Sequence, residues 1–118
     1  MEIIITNKTI DFAVRIIKFY KYLCEEKKEY ILSKQILRSG TSIGANIRES
    51  RNAQSKADFI NKLNIALKEA DETLYWLEIM IKSEIITAKQ VENLTNDLNE
   101  IISILVASIK TLKGNTKK

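Results

Sequence analysis

The sequence predicts an all-α protein: an antiparallel, up-down-up-down four-helix bundle in a single domain over residues 1–118. Three observations predict it. Apolar residues recur at helical spacing along almost the whole chain. There is no proline and there are three glycines, so the chain has little turn chemistry to spend. The stretches left over between periodic segments are short, and short links join antiparallel neighbours.

The first helix is expected over about residues 8–28, where Ile10, Ala13, Ile17, Tyr20 and Cys24 alternate by three and four and read as its core seam. Asn7 or Thr9 is its expected start, with Asp11 near the positive end. The third helix, about 56–83, carries the cleanest seam: Phe59, Leu63, Ala66, Ala70, Leu74, Leu77 and Ile81. Ser55 with Asp58 reads as its N-cap and acidic first turn. The fourth, about 88–113, shows Val91, Leu94, Leu98, Ile101, Leu105 and Leu112, opened by a Thr87–Gln90 capping box. Gly114 after Lys110 and Lys113 reads as its stop, leaving 114–118 as a flexible tail.

The stretch 30–54 holds Gly40 and Gly44, and a loop was the alternative to a helix there. On a wheel of about 100° per residue it sorts into coherent faces. Leu32, Ile36, Ile43 and Ile47 share one side with Ser39 and Ser50, and the glycines flank it. Gln35, Ser42, Asn46, Glu49 and Ala53 line the other flank, where Glu49 is a candidate for partial burial; Lys34, Arg38 and Arg48 lie opposite the core. A loop does not sort this way, so the stretch is read as one helix in which Gly40 and Gly44 admit a close helix–helix crossing. A phosphate loop would need a strand before the glycines and a Gly-Lys-Ser/Thr ending, and Ala45 follows Gly44. A membrane GxxxG pair is excluded by Arg38, Arg48 and Glu49.

Composition narrows the function. No histidine and a single Cys24 remove the commonest general base and any credible zinc site, so the expectation is no enzyme, no metal and no cofactor. The lone cysteine fits a reducing cytoplasm. The first ten residues lack a signal-peptide pattern, and no apolar run approaches a membrane span, so a cytoplasmic protein without membrane contact is expected. The formal charge is +4, and residues 30–55 carry four basic side chains against one acidic.

Two surfaces ask for partners. Ile65, Tyr75, Trp76 and Ile79 lie on the third helix away from its seam, and the fourth helix spreads Ile102, Ile104, Val106 and Ile109 over half its circumference. These faces predict homo-oligomerisation. On the first helix Lys8, Arg15 and Lys18 interleave with Phe19 and Tyr22. With Lys34, Arg38, Arg48 and Arg51 they form a candidate nucleic-acid surface, with Arg15, Lys18, Lys34, Arg38, Arg48 and Arg51 as the phosphate-binding candidates. The alternative is a protein–protein scaffold in which these lysines confer solubility. An enzyme with a pocket lined by Asn46 and Glu49 is a distant third reading.

The run 36-ILRSGTSIGANIRESRNAQSKADFINKLNIALKEADETLYWLEIM-80 closely resembles the family of proteins encoded in bacterial 23S rRNA intervening sequences. The match lies in Leu37-Arg38, Ser42-Ile43, Asn46-Ile47 and Glu49, then Ser55-Lys56, Phe59, Ala66-Leu67 and Glu69. The first and fourth helices match in pattern. The resemblance implies a four-helix bundle assembling into a ring-like homopentamer, without enzymatic activity. It also implies kinship with the accessory protein of diversity-generating retroelements, which binds nucleic acid and works with a reverse transcriptase. RNA or DNA, a reverse transcriptase or another protein are therefore the partners expected. Arg38, Ser42, Asn46 and Glu49 are the family's motif positions, assigned first to structure and assembly. Gly44-Ala45 stands where members often carry a proline before the motif's asparagine.

Overall fold

The computed structural model describes residues 2–116, and among them four helices and no strand form. α1 spans Glu2–Glu25, α2 Leu32–Ser50, α3 Lys56–Lys82 and α4 Glu92–Thr116. They pack into a rod of 51 × 22 × 21 Å, in which α1 adjoins α2 and α4, and α3 adjoins the same two helices.

Specific contacts join the neighbouring helices. Ile16 lies against Gly40 and Thr9 against Gly44, while Cys24 Sγ is 3.8 Å from Ser33 Oγ. Falling numbers on α1 thus meet rising numbers on α2. The same inversion joins α2 to α3, where Arg38 meets Glu69 at 3.2 Å, Ser39 meets Thr73 at 2.9 Å and Glu49 meets Lys62 at 3.0 Å. It recurs between α1 and α4 through Lys8–Glu100 and Arg15–Asp97, with Tyr22 meeting Gln90 just ahead of α4.

The core runs the length of the rod. Ile5, Phe12, Ile16 and Leu23 come from α1, Ile36, Ile43 and Ile47 from α2, and Leu63, Ala66, Ala70, Leu77 and Met80 from α3. Leu94, Leu98, Ile101, Leu105 and Ile109 complete it from α4. Five buried hydroxyl residues interrupt it: Thr9, Ser33, Ser39, Ser50 and Thr73. Thr9 Oγ1 is 2.9 Å from the Ile5 carbonyl, and Thr73 Oγ1 is 2.8 Å from the Glu69 carbonyl. Thr9, Ser50 and Thr73 bond carbonyls of their own helices, while Ser33 meets Cys24 and Ser39 meets Thr73 across helices, so burial costs little.

The expected seam of α1 is corrected. Ile10 and Ile17 are 44% and 41% exposed, while Ile5, Thr9, Phe12, Ile16 and Leu23 face the core. α1 carries two apolar stripes, and the one with the larger volume, holding Phe12 and Leu23, is turned inward. Phe19 and Tyr22, expected on the outer arc, are half-buried against the core.

The helix limits also shift. α1 begins at Glu2 rather than near residue 8 because Ile5 is a core residue and draws the first turns inward. It ends at Glu25, before Lys28 takes a left-handed φ of 54°. α2 opens at Leu32 without a cap from its own N-cap residue, Ile31. Instead the Glu29 carboxylate accepts from the amides of Ile31, Leu32 and Ser33 at 3.2, 3.0 and 2.7 Å. α2 closes at Ser50 rather than 54, where the amides of Arg51, Asn52 and Ala53 turn to carbonyls three residues back.

Ser55 caps α3, its side chain accepting from the Asp58 amide at 3.0 Å. α3 ends in a Schellman motif: the Glu84 amide reaches the Ile81 carbonyl and the Ile85 amide reaches Met80. The Thr87–Gln90 box closes reciprocally at 2.8 and 3.2 Å, but continuous helix starts two residues beyond it, at Glu92. Gly114 does not stop α4. It keeps a negative φ, and the helix runs on to Thr116. Residues 117 and 118 of the expected tail lie outside the described residues.

Candidate functional site

The two glycines of α2 form a contact surface for α1. A Cβ placed on Gly40 would sit 2.8 Å from Ile16 Cγ1, and one on Gly44 would sit 3.2 Å from Thr9 Oγ1. Their role here is to seat α1 close to α2. The other motif residues are committed locally. Asn46 donates to the Ser42 carbonyl at 2.9 Å, and Ser42 donates to the Arg38 carbonyl at 2.6 Å. Glu49, expected to be partly buried, has a side chain 58% exposed and pairs with Lys62. It is the penultimate residue of α2, where the flank leaves the core.

The six phosphate-binding candidates do not form one patch. Arg38 is held between Glu69 and Glu72, and Glu72 also accepts from the Trp76 indole at 3.0 Å. Arg15 pairs with Asp97, and Lys8 pairs with Glu100 on the same side of the rod. A cleft of about 170 Å³ lies among Lys8, Asp11, Arg15, Asp97 and Glu100, with Phe12 and Ile101 as its apolar lining. Its charges are compensated. Lys18 and Lys34 are exposed nearer the end of the rod that holds the α1–α2 loop, whereas Arg48 and Arg51 close α2 at the opposite end. Periodicity could not foresee these pairings, because the carboxylates that neutralise Arg15 and Arg38 lie 82 and 31 or more residues away.

The expected assembly face on α3 is also rearranged. Tyr75 is 55% exposed, but Trp76, Ile65 and Ile79 are half-buried, and Trp76 packs on the core. Tyr75 and Trp76 meet edge-to-face with centroids 5.2 Å apart. Trp76 donates its N–H to Glu72 and stays partly exposed.

A further exposed apolar surface lies on α1. Ile4, Ile10, Val14 and Ile17 are exposed, and three of them rim a groove of about 300 Å³ between α1 and α2. Thr6, Thr9 and Ala13 line it from α1, and Thr41, Gly44, Ala45 and Arg48 from α2. The signal was in the sequence as the heptad seam Ile10–Ala13–Ile17–Tyr20, with its direction reversed. A second opening, lined by Leu67, Val106, Ile109, Lys110 and Lys113, lies between α3 and α4. The Tyr20 phenol at the far end of the outer seam has its pKa raised, because a hydrogen bond with Cys24 and then the negative charge of the Cys24 thiolate favour the neutral form. No described helix is long and apolar enough to cross a membrane.

The comparisons bear on the same architecture. A search of curated proteins finds no match. A crystal structure at 1.70 Å of a protein of unknown function from the S23 ribosomal protein family of Bacteroides thetaiotaomicron VPI-5482 is similar at 60% identity, with a TM-score of 0.90. The similarity covers 92% of this chain and 97% of that one. The family model for 23S rRNA-intervening sequence proteins matches residues 1–107. A match over nearly the whole bundle, glycine pair and motif included, places the chain in that family: it belongs to the 23S rRNA-intervening sequence proteins.

Proposed function

We propose that this chain is a non-enzymatic, cytoplasmic subunit of a homo-oligomer, built as an antiparallel bundle, that serves as a nucleic-acid-associated accessory or scaffold. The observation that carries the reading is the outer seam of α1. Ile10, Ala13 and Ile17 repeat at heptad spacing on a face left open to water, and a seam of that period fits another helix. Fully burying an isoleucine stabilises by about 1.5–3 kcal/mol, so four half-exposed aliphatic side chains are a strong drive to associate. A ring-like pentamer is the assembly that the family resemblance implies, and a reverse transcriptase is one partner it suggests.

The nucleic-acid part rests on the excess of cations and on family kinship. Binding through phosphates would neutralise charge without reading bases. The ion pairs of Lys8, Arg15 and Arg38 favour a second reading, a protein scaffold whose basic residues serve packing and solubility.

Light scattering after size exclusion tests the assembly. Wild-type protein is expected at a multiple of 13.6 kDa, and the double substitution Ile10→Asp, Ile17→Asp should shift it to monomer with helicity retained. A wild-type monomer refutes the assembly. For the second part, fluorescence polarisation with labelled RNA and DNA should show binding at 50 mM salt that weakens steeply as salt rises. No binding at low salt leaves the scaffold reading.

A further inference from the structure

The charge of this molecule is distributed along its axis, and one end holds the excess. The contacts Thr9–Gly44, Lys8–Glu100 and Glu49–Lys62, with Leu67 beside Ile109, gather the start of α1, the end of α2, the start of α3 and the end of α4. The cations at this end include Arg48, Arg51, Lys56, Lys110 and Lys113, none of which is in an ion pair with a described carboxylate. The acids there are fewer: Glu2 opens α1, Glu49 is taken by Lys62, Glu100 by Lys8, and Asp58 accepts from the Gln54 amide at the start of α3. At the opposite end, Lys27, Lys28, Lys34, Lys82 and Lys89 are interspersed with Glu25, Glu26, Glu29, Glu84 and Glu92. The middle of the rod holds the Arg15 and Arg38 pairs and the acidic face of α3.

We infer that the end bearing Arg48, Arg51, Lys56, Lys110 and Lys113 is the nucleic-acid contact, and that its ligand is the phosphate backbone of a duplex. The inference rests on the nucleic-acid reading above and locates it. The end is about 21 Å across, which spans roughly six base-pair steps of a duplex at about 3.4 Å of axis each. Single-strand binders add aromatic platforms on which bases stack. The exposed aromatics, Tyr30 and Tyr75, lie in the α1–α2 loop and in the last third of α3, away from this end. Phe59, which is near it, is half-buried against the core. A surface of unpaired cations without a stacking platform neutralises phosphates and leaves the bases unread.

The test compares two triple variants that remove the same charge: Arg51→Gln, Lys56→Gln, Lys110→Gln at this end, and Lys27→Gln, Lys82→Gln, Lys89→Gln at the other. All six side chains are exposed, and both variants should keep wild-type mass and helicity. Polarisation is measured with a mixed-sequence DNA duplex and with single strands of the same length, from 50 to 200 mM salt. The first variant should lose at least tenfold in duplex affinity, and its salt slope should fall by about two to three. The second should stay within about twofold of wild type, and the duplex should bind no more weakly than the single strand. The single substitution Lys113→Gln should lower the slope by about one and serves as a check free of compound effects. Equal losses in the two triples overturn the location while leaving nucleic-acid binding standing. Single strands binding tenfold more tightly overturn the duplex. If wild type binds neither ligand at 50 mM salt, the underlying reading fails together with this one.

Discussion

Gly40, Gly44 and Gly114 all sit in helices with helical φ, yet substitution should affect them differently. At Gly40 a methyl group would meet all three outer carbons of the fully buried Ile16, at 2.8–3.1 Å. Overpacking of that kind costs about 1–3 kcal/mol, against about 1 kcal/mol gained in helix propensity. Gly40→Ala should therefore lower the thermal midpoint, measured by circular dichroism. At Gly114 nothing lies within 4 Å, so Gly114→Ala should leave the midpoint unchanged or raise it slightly. Gly44, with Thr9 at 3.2 Å, should fall between them. The opposite strain occurs at Glu84, which holds a φ of 64° in a position that glycine usually fills. Glu84→Gly should stabilise by about 0.5–1 kcal/mol in urea unfolding, through relief of that left-handed conformation. The sequence showed that Gly40 and Gly44 were interior to a helix, since a wheel sorts α2 cleanly. It could not show that Gly114 was also interior, because Lys110 and Lys113 before a glycine read equally well as a helix end.

Among the elements, α2 depends on a residue outside itself. Glu29 satisfies three amides at its N-terminus, a job usually done by the N-cap side chain. Glu29→Ala should destabilise by about 1–2 kcal/mol in urea unfolding, whereas removing the exposed Glu26 should change little. This cap escaped the sequence reading because Glu29 precedes the helix by three residues and belongs to a charged run. α3 was legible in its cap and the middle of its seam: Ser55 caps as expected and Leu63, Ala66, Ala70 and Leu77 are buried, whereas Phe59, Leu74 and Ile81 are half-buried and Thr73 and Met80 take buried places the seam did not include. α1 was legible as a helix but not in its orientation. Two stripes of similar hydrophobicity satisfy the same period, and only the partners supplied by α2 and α4 decide between them. Thr9 illustrates the difficulty, since a hydroxyl residue in the core reads as a polar position until its bond to Ile5 is seen.

At the scale of the molecule, the all-helical class and the number of helices were readable because they follow from four periodic segments and short links. The ion pairs were not, because each joins residues far apart in sequence, and they redraw the surface by withdrawing Lys8, Arg15 and Arg38 from the free cations. If the outer seam is buried between copies, stability is linked to protein concentration by mass action. The thermal midpoint should rise over a hundredfold increase in concentration for wild type and stay flat for Ile10→Asp, Ile17→Asp. A wild-type midpoint independent of concentration would argue against coupling of folding to assembly.

The lopsided axial charge has a geometric consequence. Rotation about an axis along the rod moves a subunit sideways but never turns it end over end. Copies arranged around such an axis would therefore place every cationic tip on one side and every mixed tip on the other. The assembly would be a two-sided plate with a positive face, its field summed over all copies, and a large anion would be drawn to it from a single direction.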